Sequence, residues 1–162
     1  MKKNYFLQTA ILSVALLFGA VPSFGAVDML QNGSFEDWSG DAPTAWNGSK
    51  TNIAASGVSK STDARTGSNA LVLTVTNDSH KRYSTQAYRL KPGVEYTFSF
   101  WVKGKGDIRS AYAIGSNYTY SEYSTINSTE WAQVSNTFSI KEETEGDYEL
   151  VFSVKSTAET GI

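Results

Sequence analysis

Apolar side chains recur at every second position in four runs of the chain. Leu71, Leu73 and Val75 form the first, Tyr96, Phe98, Phe100 and Val102 the second, and Tyr148, Leu150, Phe152 and Val154 the last. Ahead of the last run, Ala132, Val134, Phe138 and Ile140 keep the same phase, with Asn136 as the odd member. Successive side chains of an extended backbone point to opposite faces, so each run predicts a strand with one apolar face. The runs are rich in Thr, Val, Tyr and Phe, which suit a pleated, half-buried surface. Heptads and three-four apolar spacings are missing beyond residue 25, so almost no helix is expected.

Turn chemistry falls between the runs. Arg65-Thr66-Gly67-Ser68, Lys91-Pro92-Gly93, Gly104-Lys105-Gly106-Asp107 and Asn127-Ser128-Thr129 each read as a reversal of the chain. Lys91-Pro92-Gly93 is the clearest, because Pro presets φ and Gly accepts the positive φ that follows. Strands with one apolar face each need a second sheet to cover them. The expected fold is therefore all-β, a two-sheet antiparallel β-sandwich or jelly roll, with a closed barrel as the alternative. Ser156 to Ile162 follows the last run as a loop leading towards another strand, so the sandwich is expected to lack its last strand within this chain.

The N-terminus follows a different logic. Lys2 and Lys3 precede an apolar run from Ala10 to Ala20 that is too short to span a bilayer, and Ser23 and Gly25 supply the small-x-small pattern of a cleavage site. Residues 1–25 are predicted to be a signal peptide cut after Gly25, with Ala26 as the near alternative. Residues 26–162 then form one domain, and the chain is expected to be secreted to the periplasm, the extracellular space or the cell surface. No membrane insertion is expected of the mature part.

Composition narrows the chemistry. The chain has no Cys, so apolar packing or a bound ion must replace the disulfides of many exported domains. Two of the 14 Lys and Arg lie in the leader, while all 16 Asp and Glu lie beyond it, leaving 12 basic against 16 acidic residues and a net charge of −4. Such a balance argues against nucleic acid as a partner. The single imidazole, His80, sits in the polar turn signal Asn77-Asp78-Ser79-His80-Lys81 and reads as a solvated loop residue. Glu36 and Asp37 are adjacent on an extended segment and point to opposite faces, and the acidic run from Glu142 to Asp147 is turn-like. No paired carboxylates of the glycosidase kind emerge, so no catalytic residue is assigned.

The segments Leu30-Gln31-Asn32-Gly33-Ser34-Phe35-Glu36-Asp37-Trp38 and Ala42-Pro43-Thr44-Ala45-Trp46 resemble the opening of family 4, 9 and 22 type carbohydrate-binding modules, which have a galactose-binding-like jelly roll. Arg65-Thr66-Gly67-Ser68-Asn69-Ala70-Leu71 is similar to their loop-and-strand signature, and Leu90 to Gly104 to one of their strands. This resemblance implies a non-catalytic module that binds a polysaccharide or glycan, with a catalytic domain on the same polypeptide as a further expectation. It also implies a structural Ca²⁺ held in part by Glu36, whose acidic counterpart on a final strand is not found in this chain. A structural or adhesive module of a surface protein, and an accessory domain of a secreted hydrolase or nuclease, are the alternatives.

The candidate sugar surface rests on aromatic residues. Tyr112, Tyr118, Tyr120 and Tyr123 fall within twelve residues beside Gly115, Ser116 and Asn117, and read as a loop-edge surface. Flat rings stack on the C–H faces of sugars while neighbouring polar groups take the hydroxyls. Trp101 falls on the face opposite Phe98 and Phe100, and Arg109, expected on the next strand, would flank it. Trp38, Trp46 and Trp131 are assigned to the core.

Overall fold

The computed structural model describes residues 7–15, 27–76, 78–140 and 146–156. Among these residues twelve strands run in chain order: β1 (Leu7–Ala15), β2 (Val27–Asp28), β3 (Trp38–Ser39), β4 (Ala42–Pro43), β5 (Val58–Ser61), β6 (Ala70–Leu73), β7 (Lys81–Ser84), β8 (Tyr88–Leu90), β9 (Glu95–Ile114), β10 (Asn117–Tyr120), β11 (Ser124–Ser139) and β12 (Gly146–Lys155). Among the described residues the helical content is one 3₁₀ turn at Ala55–Gly57, and no helix is long and apolar enough to cross a membrane.

The 20-residue strand β9 organises the molecule. On one edge its first half pairs with β1, from Ala15 opposite Glu95 to Leu7 opposite Val102, and its second half pairs with β12, from Lys155 opposite Asp107 to Tyr148 opposite Ile114. On the other edge β11 follows it from Glu95 to Ile108 and β10 takes over from Ala111 to Ile114. Thus β5-β6-β1 and the first half of β9 form one layer, and β7 and β8 with β12 and the second half of β9 form the other. The expected two-sheet antiparallel sandwich is present, with β9 and β11 shared between the layers.

Two expected turns are corrected by this arrangement. Gly104-Lys105-Gly106-Asp107 lies inside β9, and Asn127-Ser128-Thr129 lies inside β11. Gly104 and Gly106 take φ of 129° and 139°, a region closed to side chains with a Cβ, and opposite them the β11 register shifts between Ser128 and Ala132. These glycines bend the strand from one layer into the other without reversing it. Arg109 consequently lies on β9 itself, not on a following strand.

Even-numbered residues of β9 face the interior in both layers. Phe98 and Phe100 meet Phe152 of β12 with ring centroids 5.2 and 4.9 Å apart, and Phe152 stacks on Trp46 at 5.2 Å. Trp46 in turn stacks on Tyr83 and tilts against Phe35, so one aromatic cluster bridges the layers. The long connection from Leu30 to Gly57 closes over this cluster because Asn32 organises it. Its side-chain amide donates to the carbonyls of Asp37 (2.8 Å) and Thr44 (2.9 Å) while its carbonyl oxygen accepts from Asp37 N–H. Asn32 tolerates the positive φ of 48° found there.

Leu7–Ala15 falls within the segment expected to be removed on export, yet here it is the strand that joins β6 to β9. The stretch 141–145 of the acidic run and residues 157–162, where the chain was expected to lead into another strand, lie outside the described residues. Asp147, assigned to that turn-like run, belongs to β12 and pairs with Arg89.

Candidate functional site

The outer face of the second layer is built on small residues. Ala111 and Ala113 of β9 and Val151 of β12 are buried and form a separate apolar cluster, with Tyr118 and Tyr120 of β10 packed against it. The register explains the placement: Tyr118 lies opposite Ala113, Tyr120 opposite Ala111, and Ala111 opposite Val151. A two-residue spacing on one strand puts both tyrosines on the same face, and small neighbours let their rings lie down on the sheet. The rings stack in parallel, 5.7 Å apart and 8° between planes.

Cations from three strands cover these rings. The Arg109 guanidinium sits 3.8 Å from the Tyr120 ring centre and 4.2 Å from that of Tyr123, and Arg82 of β7 sits 4.8 Å from that of Tyr118. Lys155 of β12 lies 4.6 Å from the Tyr123 ring and 3.6 Å from the Asp107 carboxylate, which also accepts a 2.7 Å hydrogen bond from Thr125. His80 meets the edge of Tyr120, with its Nε2 3.3 Å from Arg82 Nη1. Its half-burial, and then the positive charges of Arg109, Arg82, Lys81 and Lys155, hold its pKa below the usual 6.5, so the ring is neutral at pH 7. The expectation of a solvated loop histidine is corrected: His80 belongs to this cluster.

Glu149 fixes one side of the face. Its carboxylate accepts hydrogen bonds from the hydroxyl and N–H of Ser49, the N–H of Lys50 (2.9 Å) and the hydroxyl of Ser84 (2.7 Å). Lys50 then accepts from Arg82 Nε at 3.3 Å, so Glu149 positions Arg82 through the loop. Burial alone would raise the Glu149 pKa, but these hydrogen bonds and the Lys50 charge bring it below the ordinary carboxylate value. A depressed pKa means stability present in full above the unfolded-state value and lost as pH falls through the folded one. Glu149→Gln is therefore expected to destabilise the protein at pH 7, by about 1–3 kcal/mol, and to flatten the acid limb of a melting-temperature profile against pH. An unchanged profile would show that the carboxylate carries no such linkage.

Of the predicted sugar-binding residues, the structure brings together Arg109, Tyr118, Tyr120 and Tyr123. Trp101 lies elsewhere, on the outer face of the first layer, opposite Gln133, with the Arg65 guanidinium 3.7 Å from its ring centre. Trp131 is near this second patch and not in the core: Lys103, ion-paired with Asp63 at 2.6 Å, reaches over its ring. Trp38 is half-buried at the core margin, and Trp46 is a core residue as expected. Tyr112 is turned to the interior side of β9, stacked on Phe138 at 4.7 Å. It nonetheless borders a small cleft shared with Tyr120, Thr119 and Asn136, whose buried side-chain N–H groups have no hydrogen-bond partner among the described residues. Sequence reasoning missed Arg82, His80, Lys155 and Glu149, which reach the face only through strand pairing.

Glu36 has a different setting. Its Oε1 accepts from the N–H groups of Ser68 (3.0 Å) and Asn69 (3.1 Å), and Oε2 from the Asn69 side chain (3.3 Å). A Cβ at Gly67 would fall 2.2 Å from Oε1, so this clamp between the two motifs requires glycine there. Calcium asks for six to eight oxygens, whereas the described donors around Glu36 are N–H groups. Among the described residues no group of three or more His, Cys, Asp or Glu gathers as a metal site. The described residues alone do not fit a calcium ion.

Residues 27–160 match the carbohydrate binding domain family CBM_4_9, and the chain belongs to that family. Among solved structures, the CBM22-1 xylan-binding domain from Paenibacillus barcinonensis Xyn10C is similar in fold, with 13% identity, a TM-score of 0.53, and coverage of 99% of this chain and 91% of that one. TmCBM61 in complex with β-1,4-galactotriose matches at 22% identity and a TM-score of 0.48, over 71% of this chain and 80% of that one. The family 16 carbohydrate binding module-2 matches at 22% identity and 0.42, over 62% and 77%. Among curated proteins none matches.

Proposed function

We propose that this chain is a non-catalytic module that holds a polysaccharide or glycan on the outer face formed by β7, β12, β9 and β10. The observation that carries the reading is the cluster of Tyr118, Tyr120 and Tyr123 with Arg82 and Arg109 on a floor of small residues. The small residues seat the tyrosine rings, the rings brace the guanidinium groups over them, and the guanidinium and imidazole groups supply donors to sugar oxygens. Paired acid and base groups have no place in this reading, and the one imidazole is packed among cations. Affinity is expected in the micromolar to millimolar range, about 4–8 kcal/mol. Export through the leader, with the module acting outside the cytoplasm and beside a catalytic domain of the same polypeptide, completes the proposal.

Affinity electrophoresis and calorimetry against a glycan panel that includes xylan and β-1,4-galactan test it. Tyr120→Ala is expected to weaken retention about tenfold or more. Trp101→Ala, on the other layer, should leave it unchanged. If Trp101→Ala removes binding and Tyr120→Ala does not, the site is the patch on the first layer. An adhesive module would retain no glycan at all.

A further inference from the structure

We infer that the glycan held by this face is acidic: a saccharide chain bearing carboxylates, taken by Arg82 and Arg109. The inference rests on the carbohydrate-binding reading and adds the class of sugar. Arg82 and Arg109 lie opposite Ser153 from its two sides, in one row across β7, β12 and β9. Neighbouring strands are about 4.8 Å apart, so the two arginine backbones stand about 10 Å from each other with a single serine between them.

Each guanidinium is then led over a tyrosine ring, Arg82 over Tyr118 and Arg109 over Tyr120. A guanidinium lying over a ring presents its N–H edge sideways, where a planar carboxylate meets it with two parallel hydrogen bonds. Part of that edge is already used. Arg82 Nε donates to Lys50 O and its Nη1 touches His80, while Arg109 Nε donates to Ser153 Oγ at 3.4 Å. Among the described residues no carboxylate lies within 4.0 Å of either guanidinium. Two acids of this face are committed elsewhere: Asp107 to Lys155 and Thr125, and Glu149 to Ser49, Lys50 and Ser84.

The charge balance makes the pattern informative. The whole chain carries a net charge of −2, yet this face sets three cations, Arg82, Arg109 and Lys155, against two committed acids, Asp107 and Glu149, around a neutral His80. A neutral sugar would want open ring faces, whereas here the faces carry cations. An anionic substituent on the sugar gains charge-assisted hydrogen bonds, about twice as strong as neutral ones. A sulfate ester would satisfy the same fork, so the test must separate it from a carboxylate.

Affinity electrophoresis of the full chain through gels containing polygalacturonate, its fully methyl-esterified form, xylan, galactan or dextran sulfate does so. Polygalacturonate is expected to retain the protein at least about tenfold more strongly than the ester, a difference of about 1.4 kcal/mol, with retention falling as salt is raised. Arg82→Gln and Arg109→Gln should each lose about tenfold. Arg89→Gln, which removes an exposed cation outside this cluster, should lose nothing. Thermal melts check folding, and Arg109→Lys, which keeps the charge but not the fork, should recover only part of the binding. Equal retention by acid and ester, or preference for xylan or galactan, overturns the acidic assignment while leaving the carbohydrate reading in place. Retention by dextran sulfate alone overturns the carboxylate in favour of sulfate. A folded protein that no glycan retains overturns the carbohydrate reading itself, and this inference with it.

Discussion

Phe152→Ala is expected to lower the melting temperature by about 10–20 °C, through a loss of about 3–5 kcal/mol. Phe152 is fully buried and touches Phe98 and Phe100 of the opposing layer and Trp46 of the covering loop together. Truncation leaves a cavity that three aromatic side chains border. Each is held by its own strand or loop, so collapse into the space is limited. Phe152→Leu keeps most of the volume and should cost less than about 1.5 kcal/mol. Differential scanning calorimetry of both variants checks the argument. A Phe152→Ala protein melting within a few degrees of the parent would mean that the layers are not held at this contact.

The strands of this core are legible in the sequence because the pattern has period two and the pleat has period two. Phe98, Phe100, Leu150 and Phe152 announce their shared burial by parity alone. The Gly104-x-Gly106 pair misleads, because glycine marks permitted backbone geometry and not chain reversal. Here the permitted geometry is spent on bending a long strand between two layers. Reading a turn there breaks the parity count, which is why Tyr112 was assigned to the surface although it shares the phase of Tyr96 and Phe98. The same break hid the separation of Trp101 from Arg109, eight residues apart on one strand but on the outer faces of different layers.

The site was legible only in its local part. Tyr118 and Tyr120 share a face by spacing, and Tyr123 follows closely. Arg82 and Arg109 are 27 positions apart in sequence and meet because both pair with Ser153. Glu149 reaches Ser49 and Lys50 across about a hundred residues. Strand pairing of this kind is set by which faces must be buried together, a property of the whole fold rather than of any window of sequence.

Removal of residues 1–25 is expected to destabilise the domain strongly. Strand β1 carries the hydrogen-bonded pairing of β9 from Glu95 to Val102, and it also links β6 to the rest of its layer. Without it, β6 keeps only β5 as a partner, β2 has none, and the first half of β9 keeps only β11. At about 1 kcal/mol net for each backbone hydrogen bond, the loss is on the order of 5 kcal/mol, or a fall of about 10–20 °C in melting temperature. Two unpaired strand edges facing one vacant position also favour association, because such edges accept a strand from a second molecule. Melting curves, size-exclusion at several concentrations and amide exchange at Ala70–Leu73 and Tyr96–Val102 compare the full chain with the chain beginning at Ala26. A shorter chain that is less stable, associates and exchanges rapidly at those two strands establishes that the fold depends on a strand in this position. Equal melting temperatures and equal protection would establish that the sandwich closes without one, and that Leu7–Ala15 acts only as a leader.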